Sequence, residues 1–98
     1  MNEENKTQLN IELDEQTAQG VYSNLAIINH SNSEFVLDFV SVMPGMPKAK
    51  VKSRVIMTPQ HAKRLLKALQ ENISKFESQN GNVSDDIPNI SFGPTGQA

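Results

Sequence analysis

The run HSNSE brings together His30, Ser31, Ser33 and Glu34, residue types that can serve as base, nucleophile and orienting carboxylate. Catalytic triads are assembled by geometry from separate segments, so adjacency along the chain is no argument for one. The same side chains hydrogen-bond their own backbone readily, and the run reads as a turn. His30 and His61 are the nitrogen ligands on offer to a metal, there is no cysteine, and no spacing recruits Asp38 as a third ligand. Neither G-x-x-x-x-G-K followed by Ser or Thr nor G-x-G-x-x-G occurs, so no phosphate-cradling loop is expected. No catalytic residue, metal or cofactor is expected on these grounds. Asp38 has two readings: a buried acid with a raised pKa, or the cross-strand partner of a cation, for which Arg54 is the natural candidate.

The charge distribution is the more unusual feature. The chain has a formal net charge of −2 and a pI near 5.6. Yet seven of its nine Lys and Arg residues, Lys48, Lys50, Lys52, Arg54, Lys63, Arg64 and Lys67, fall in one stretch that contains no Asp or Glu. Strict alternation would place the first four on one face of a strand, where lysines protect an open edge against unwanted pairing. The other three, with His61, fall in the first two turns of a helix, where the macrodipole is positive and each cation costs about 0.3–1 kcal/mol. Two readings stay open. The stretch is edge protection, or it is a binding surface for an anionic partner, either an acidic protein segment or nucleic acid. A single Tyr and four Phe offer little base stacking, which weighs against nucleic acid. The acidic segment 12–15 or Glu34 of a neighbouring copy is a further way to meet these cations.

The elements that must carry these residues follow from periodicity. Residues 8–13 alternate, with Leu9, Ile11 and Leu13 on one side, which predicts a first strand. A polar connection ending at Gly20 leads to a second strand over 21–30, then the turn, then a third strand over 35–42. Strand two sets Val21, Leu25 and Ile27 against Tyr22, Ala26 and Ile28; strand three sets Phe35, Leu37 and Phe39 against Val36, Val40 and Val42. MPGMP is a strong turn signal, and a fourth strand spans about 48–57. Thr58 with Pro59 marks a helix start, although His61 stands where a capping box needs Glu or Gln. The helix runs over about 59–78, with Ala62, Leu65, Leu66, Leu69, Ile73 and Phe76 as one apolar stripe. The expected fold is α+β: a four-stranded antiparallel meander with one C-terminal amphipathic helix packed on one face.

Of the 98 residues, 1–7 and 79–98 are polar or rich in Asn, Ser, Gly and Pro, and both are expected to be disordered tails. Ile87, Ile90 and Phe92 would then be a short docking motif or isolated apolar residues in the second tail. The single domain spans 8–78, a size at which one core gives only a few kcal/mol, and no disulfide is available to support it. One helix covers one face, while strands two and three are apolar on both. The uncovered face, with Tyr22, Ile28, Val36, Val40 and Val42 as interface candidates, predicts a homo-oligomer, a dimer or larger. Met43 and Met46 beside the PG turn offer adaptable apolar contact. No secretory h-region or membrane-spanning run is seen, so the expected compartment is the cytoplasm, with no membrane partner.

The stretches SNLAIINHSNSEFVLDF and PGMPKAKVKSRVIMTPQHAKRLLKALQENISKFE resemble a family of small bacterial proteins known as domain of unknown function 3467. The likeness covers about residues 8–78 and implies a bacterial origin and one small domain, with no catalytic residue to carry over. A fold-level likeness to the export chaperone SecB implies how such a sheet can be completed by other subunits. The functional expectation is a non-enzymatic, oligomeric binding or adaptor module. Its proposed basic surface comprises Lys48, Lys50, Lys52, Arg54, His61, Lys63, Arg64 and Lys67. A SecB-like chaperone using apolar sheet surface and a small enzyme are the alternatives.

Overall fold

The computed structural model describes residues 8–86. In chain order these form α1 (Glu15–Ala18), β1 (Leu25–His30), β2 (Phe35–Ser41), β3 (Lys50–Met57) and α2 (Pro59–Asn80). The three strands make one antiparallel sheet in the order β1-β2-β3. The α+β plan, the meander and the C-terminal helix are therefore as the periodicity predicts.

The expected first strand is absent. Residues 8–13 have no regular structure, and Leu9, Ile11 and Leu13 are 80%, 86% and 68% exposed. Alternation decides only which side of a strand would be apolar; a strand also needs a ladder partner, and this segment has none among the described residues. The polar connection after it contains a single helical turn, capped by Asp14, whose Oδ1 accepts from the Thr17 N–H at 2.7 Å. Gly20, at φ +80°, closes that segment in the left-handed region that favours glycine.

The second predicted strand starts later than expected, at Leu25. Asn24 substitutes for further ladder. Its backbone N–H donates to the Val40 carbonyl at 3.0 Å, and its side chain bonds both ways with Val42, donating from Nδ2 at 2.9 Å and accepting at Oδ1 at 2.8 Å. A side-chain amide presents the same donor and acceptor pair as a peptide group, so one residue ends the strand without stranding Val42.

Cross-strand register sorts the side chains. Leu25, Ile27, Val36, Asp38, Val40, Arg54 and Ile56 share one face; Ala26, Ile28, Phe35, Leu37, Phe39, Val55 and Met57 share the other. Leu37, Val40, Met57 and Asp38 are buried, so the core lies along central β2 and the end of β3.

The helix does not cover a sheet face. None of its residues is buried, and Leu66, Leu69, Ile73 and Phe76 are each about half exposed. The reason is the connection. β3 ends at Met57 and α2 starts at Pro59, so Thr58 alone links them, and strand-to-helix loops that fold back usually take 2–6 residues. Pro59, Ala62 and Leu65 near the helix start are half-buried; the remainder of α2 extends beyond the sheet.

Candidate functional site

The loop between β2 and β3 begins at a tight turn. Met46 N–H donates to the Met43 carbonyl at 3.2 Å, with Pro44 next and Gly45 at φ +81°, the pattern of a type II turn. With Asn24 holding Val42 on one side, this turn sets Met43 and Met46 beside the start of β3. Ser41, Met43, Met46, Lys48, Lys50 and Lys52 line one concavity of about 250 Å³. Three lysine side chains and two soft thioethers thus border the same hollow. It can take a ligand that is both anionic and apolar.

The eight candidate basic residues do not form one surface. The register shifts between Phe39 and Val40: Phe39 faces Ser53 while Val40 faces Val51, leaving Lys52 as the extra residue of a bulge. The expectation that Lys48, Lys50, Lys52 and Arg54 line one strand face is therefore corrected. Lys50, opposite Ser41, lies on the Phe39 face, whereas Arg54, opposite Asp38, lies on the other. His61, Lys63, Arg64 and Lys67 are exposed on α2, beyond the far end of β3. At about 3.3 Å per residue, β3 separates its first residue from Thr58 by roughly 25 Å. The cations form two clusters, one at each end of the strand.

Arg54 belongs to neither cluster functionally, because Asp38 holds it. Its Nε and Nη2 donate to the two carboxylate oxygens at 2.6 and 2.8 Å, a bidentate pair. Of the two readings of Asp38, the structure gives the cross-strand partner. The Arg54 hydrogen bonds hold its carboxyl below the ordinary value of 3.8, outweighing the opposing effect of desolvation.

The HSNSE run is a turn. Ser31 N–H donates to the Glu34 carbonyl at 2.9 Å, and Ser31 Oγ accepts from the N–H groups of Ser33 and Glu34, both at 3.2 Å. His30 stacks on Phe35 with ring centroids 5.2 Å apart. The serine oxygen and the imidazole face are thus engaged in holding the hairpin. Among the described residues, no three His, Cys, Asp or Glu side chains are grouped to hold a metal ion.

The interface candidates also divide. Ile28 pairs with Leu37 on one sheet face, Val36 and Val40 lie on the other, and Val40 is 4% exposed. Tyr22 and Val42 lie outside the strands, Tyr22 being 72% exposed. Ile87, Ile90 and Phe92 lie outside the described residues. Asn24, which anchors the loop, was not distinguished by sequence reasoning, since a lone Asn before a strand gives no signal of the partner it will reach.

A family model described as protein of unknown function, DUF3467, matches residues 1–85. The chain belongs to that family. No curated protein and no solved structure matches it. None of the described helices is long and apolar enough to cross a membrane.

Proposed function

We propose that this member of DUF3467 is a non-enzymatic, homo-oligomeric binding module that receives an acidic, partly apolar protein segment in the concavity between the PG turn and the start of β3. The observation that carries this reading is the lining itself: Lys48, Lys50 and Lys52 beside Met43 and Met46. No carboxylate occurs in the chain between Asp38 and Glu71, so no nearby residue in sequence neutralises them. Lysine ammonium groups attract carboxylates without demanding a fixed geometry, and methionine adapts to irregular apolar side chains, a combination suited to a peptide. Nucleic acid is disfavoured because the lining contains no aromatic ring for base stacking.

The test is titration of the full chain with a labelled Glu-rich peptide carrying two leucines, alongside a single-stranded DNA of equal charge. Peptide affinity is expected to fall roughly tenfold when Lys48, Lys50 and Lys52 become Gln, and to weaken as salt rises. Equal binding by the triple variant overturns the assignment of the site; binding of the DNA alone replaces the peptide with nucleic acid. The chaperone alternative is favoured by the exposed Val51 and Ile56 of edge strand β3, 53% and 56% accessible. Capture by that surface would survive salt and fail with Ile56→Asp.

A further inference from the structure

We infer that α2 is the contact through which two copies of this chain associate, as an antiparallel helix pair. The inference rests on the homo-oligomeric part of the function proposed above and names its surface and geometry. Ala62, Leu66, Leu69, Ile73 and Phe76 follow one another at spacings of 4, 3, 4 and 3 residues. That is the repeat of a coiled-coil seam, one position for each half-heptad. The sheet leaves the seam open: its four large members are between 45% and 54% exposed along a helix of 22 residues, about 33 Å long.

The charges decide the orientation. The first turn of α2 holds no acid and the last turn no base. Cations instead crowd its positive end, at Lys63, Arg64 and Lys67, while Glu77 lies near its negative end, two residues after Lys75. Lys63, Arg64, Lys67 and Glu77 each oppose their own helix dipole, whereas Lys75 agrees with it. An antiparallel partner reverses every one of these relations, because it sets its own C-terminal end beside the cations and its N-terminal end beside Glu77.

The seam register agrees. Setting Leu66 opposite Phe76 of the second copy also sets Leu69 opposite Ile73 in the next layer. Lys63 and Glu77 then flank the seam on the same side at matching levels, giving two symmetry-related ion pairs per dimer, with Gln70 opposite its own copy between them. A parallel pair instead stacks the like cations of the two helix starts against each other. Each sheet precedes its own helix, so the antiparallel pair places the two sheets at opposite ends, where they do not collide.

A seam of five positions is short, and the dimer is expected to depend on concentration. Sedimentation equilibrium of the full chain tests it, with charge exchange as the decisive arm. Lys63→Glu and Glu77→Lys are each expected to weaken dimerisation roughly tenfold, and the double variant to restore it. These positions are on the helix surface, so the comparison does not depend on a core substitution that risks unfolding. The chain has no cysteine. A mixture of Lys63→Cys and Glu77→Cys chains should therefore join through a short bis-maleimide, while neither alone self-links. A dimer indifferent to both charge reversals, or to Leu69→Asp in a chain of native circular dichroism, overturns the inference and leaves homo-oligomerisation standing through another surface. A single-chain mass at all concentrations overturns both, and leaves the lysine-lined site to its own titration.

Discussion

Arg54 keeps 62% of its side chain accessible while Asp38 keeps 8%, and this inequality governs what each does when its partner is lost. Truncating Asp38 returns an already solvated guanidinium to water. Truncating Arg54 leaves a carboxylate in the sheet with nothing to offset its desolvation. Arg54→Met is therefore expected to lower Tm by more than Asp38→Asn does. The pair also sets an acid limit. Because the folded pKa of Asp38 is depressed, its contribution is fully present above the unfolded value of 3.8 and is lost as pH falls through the folded value. A series of melting curves below pH 5 should show the native chain losing Tm more steeply than Asp38→Asn; parallel curves would show that another group sets the acid transition. Gly45 gives the second residue-scale prediction. A Cβ there meets no atom within 4 Å, so Gly45→Ala tests backbone conformation alone, at φ +81°. The expected loss is about 1–2 kcal/mol by denaturant titration, the cost of a left-handed residue that bears a Cβ.

At the scale of elements, α2 begins where its sequence says it should. Thr58 Oγ1 accepts from the His61 N–H at 3.1 Å, and Pro59 follows at a position that has no N–H to satisfy. Thr58→Ala is expected to cost about 1 kcal/mol and to fray the first turn, visible as faster amide exchange at His61 and Ala62. Loss of exchange protection confined to the sheet would contradict this. The stripe pattern located the helix, yet its apolar face implied a sheet beneath it. Amphipathicity states that a face will be covered and is silent on by what. The single linking residue was in the sequence as well, but its meaning appears only when the ends of β3 and α2 are known to within a residue. The bulge at Lys52 was similarly hidden: strict alternation over 48–57 looks regular, and the shift arises from how Phe39 and Val40 meet their partners.

For the whole molecule, the separation of charge matters more than its sum. A chain of net charge −2 is expected to be held weakly by a cation exchanger at neutral pH. The cluster at Lys48, Lys50 and Lys52 should nevertheless give measurable retention on heparin at low salt, lost by physiological salt. The Lys48, Lys50 and Lys52→Gln triple variant should elute with the unbound fraction, whereas unchanged retention would move the anion site to the α2 cations. Leu9, Ile11 and Leu13, exposed and unpaired, show the same limit at this scale. Their alternation is a strand pattern, but pairing is a property of two segments, and the described chain presents none to them.

Local regularities were legible from residues alone: the two hairpins, the PG turn, the Thr58 cap, the helical stripe, the Ser31 turn and the Asp38–Arg54 partnership. Each depends on neighbours in sequence or directly opposite on the next strand, where hydrogen-bond geometry and side-chain period leave few solutions. Tertiary structure alone decided that residues 8–13 stand outside the sheet, that α2 projects past it, and that the basic residues divide between the two ends of β3. Those outcomes turn on where separate segments end relative to each other, and a shift of one residue in a ladder or a link redirects everything beyond it.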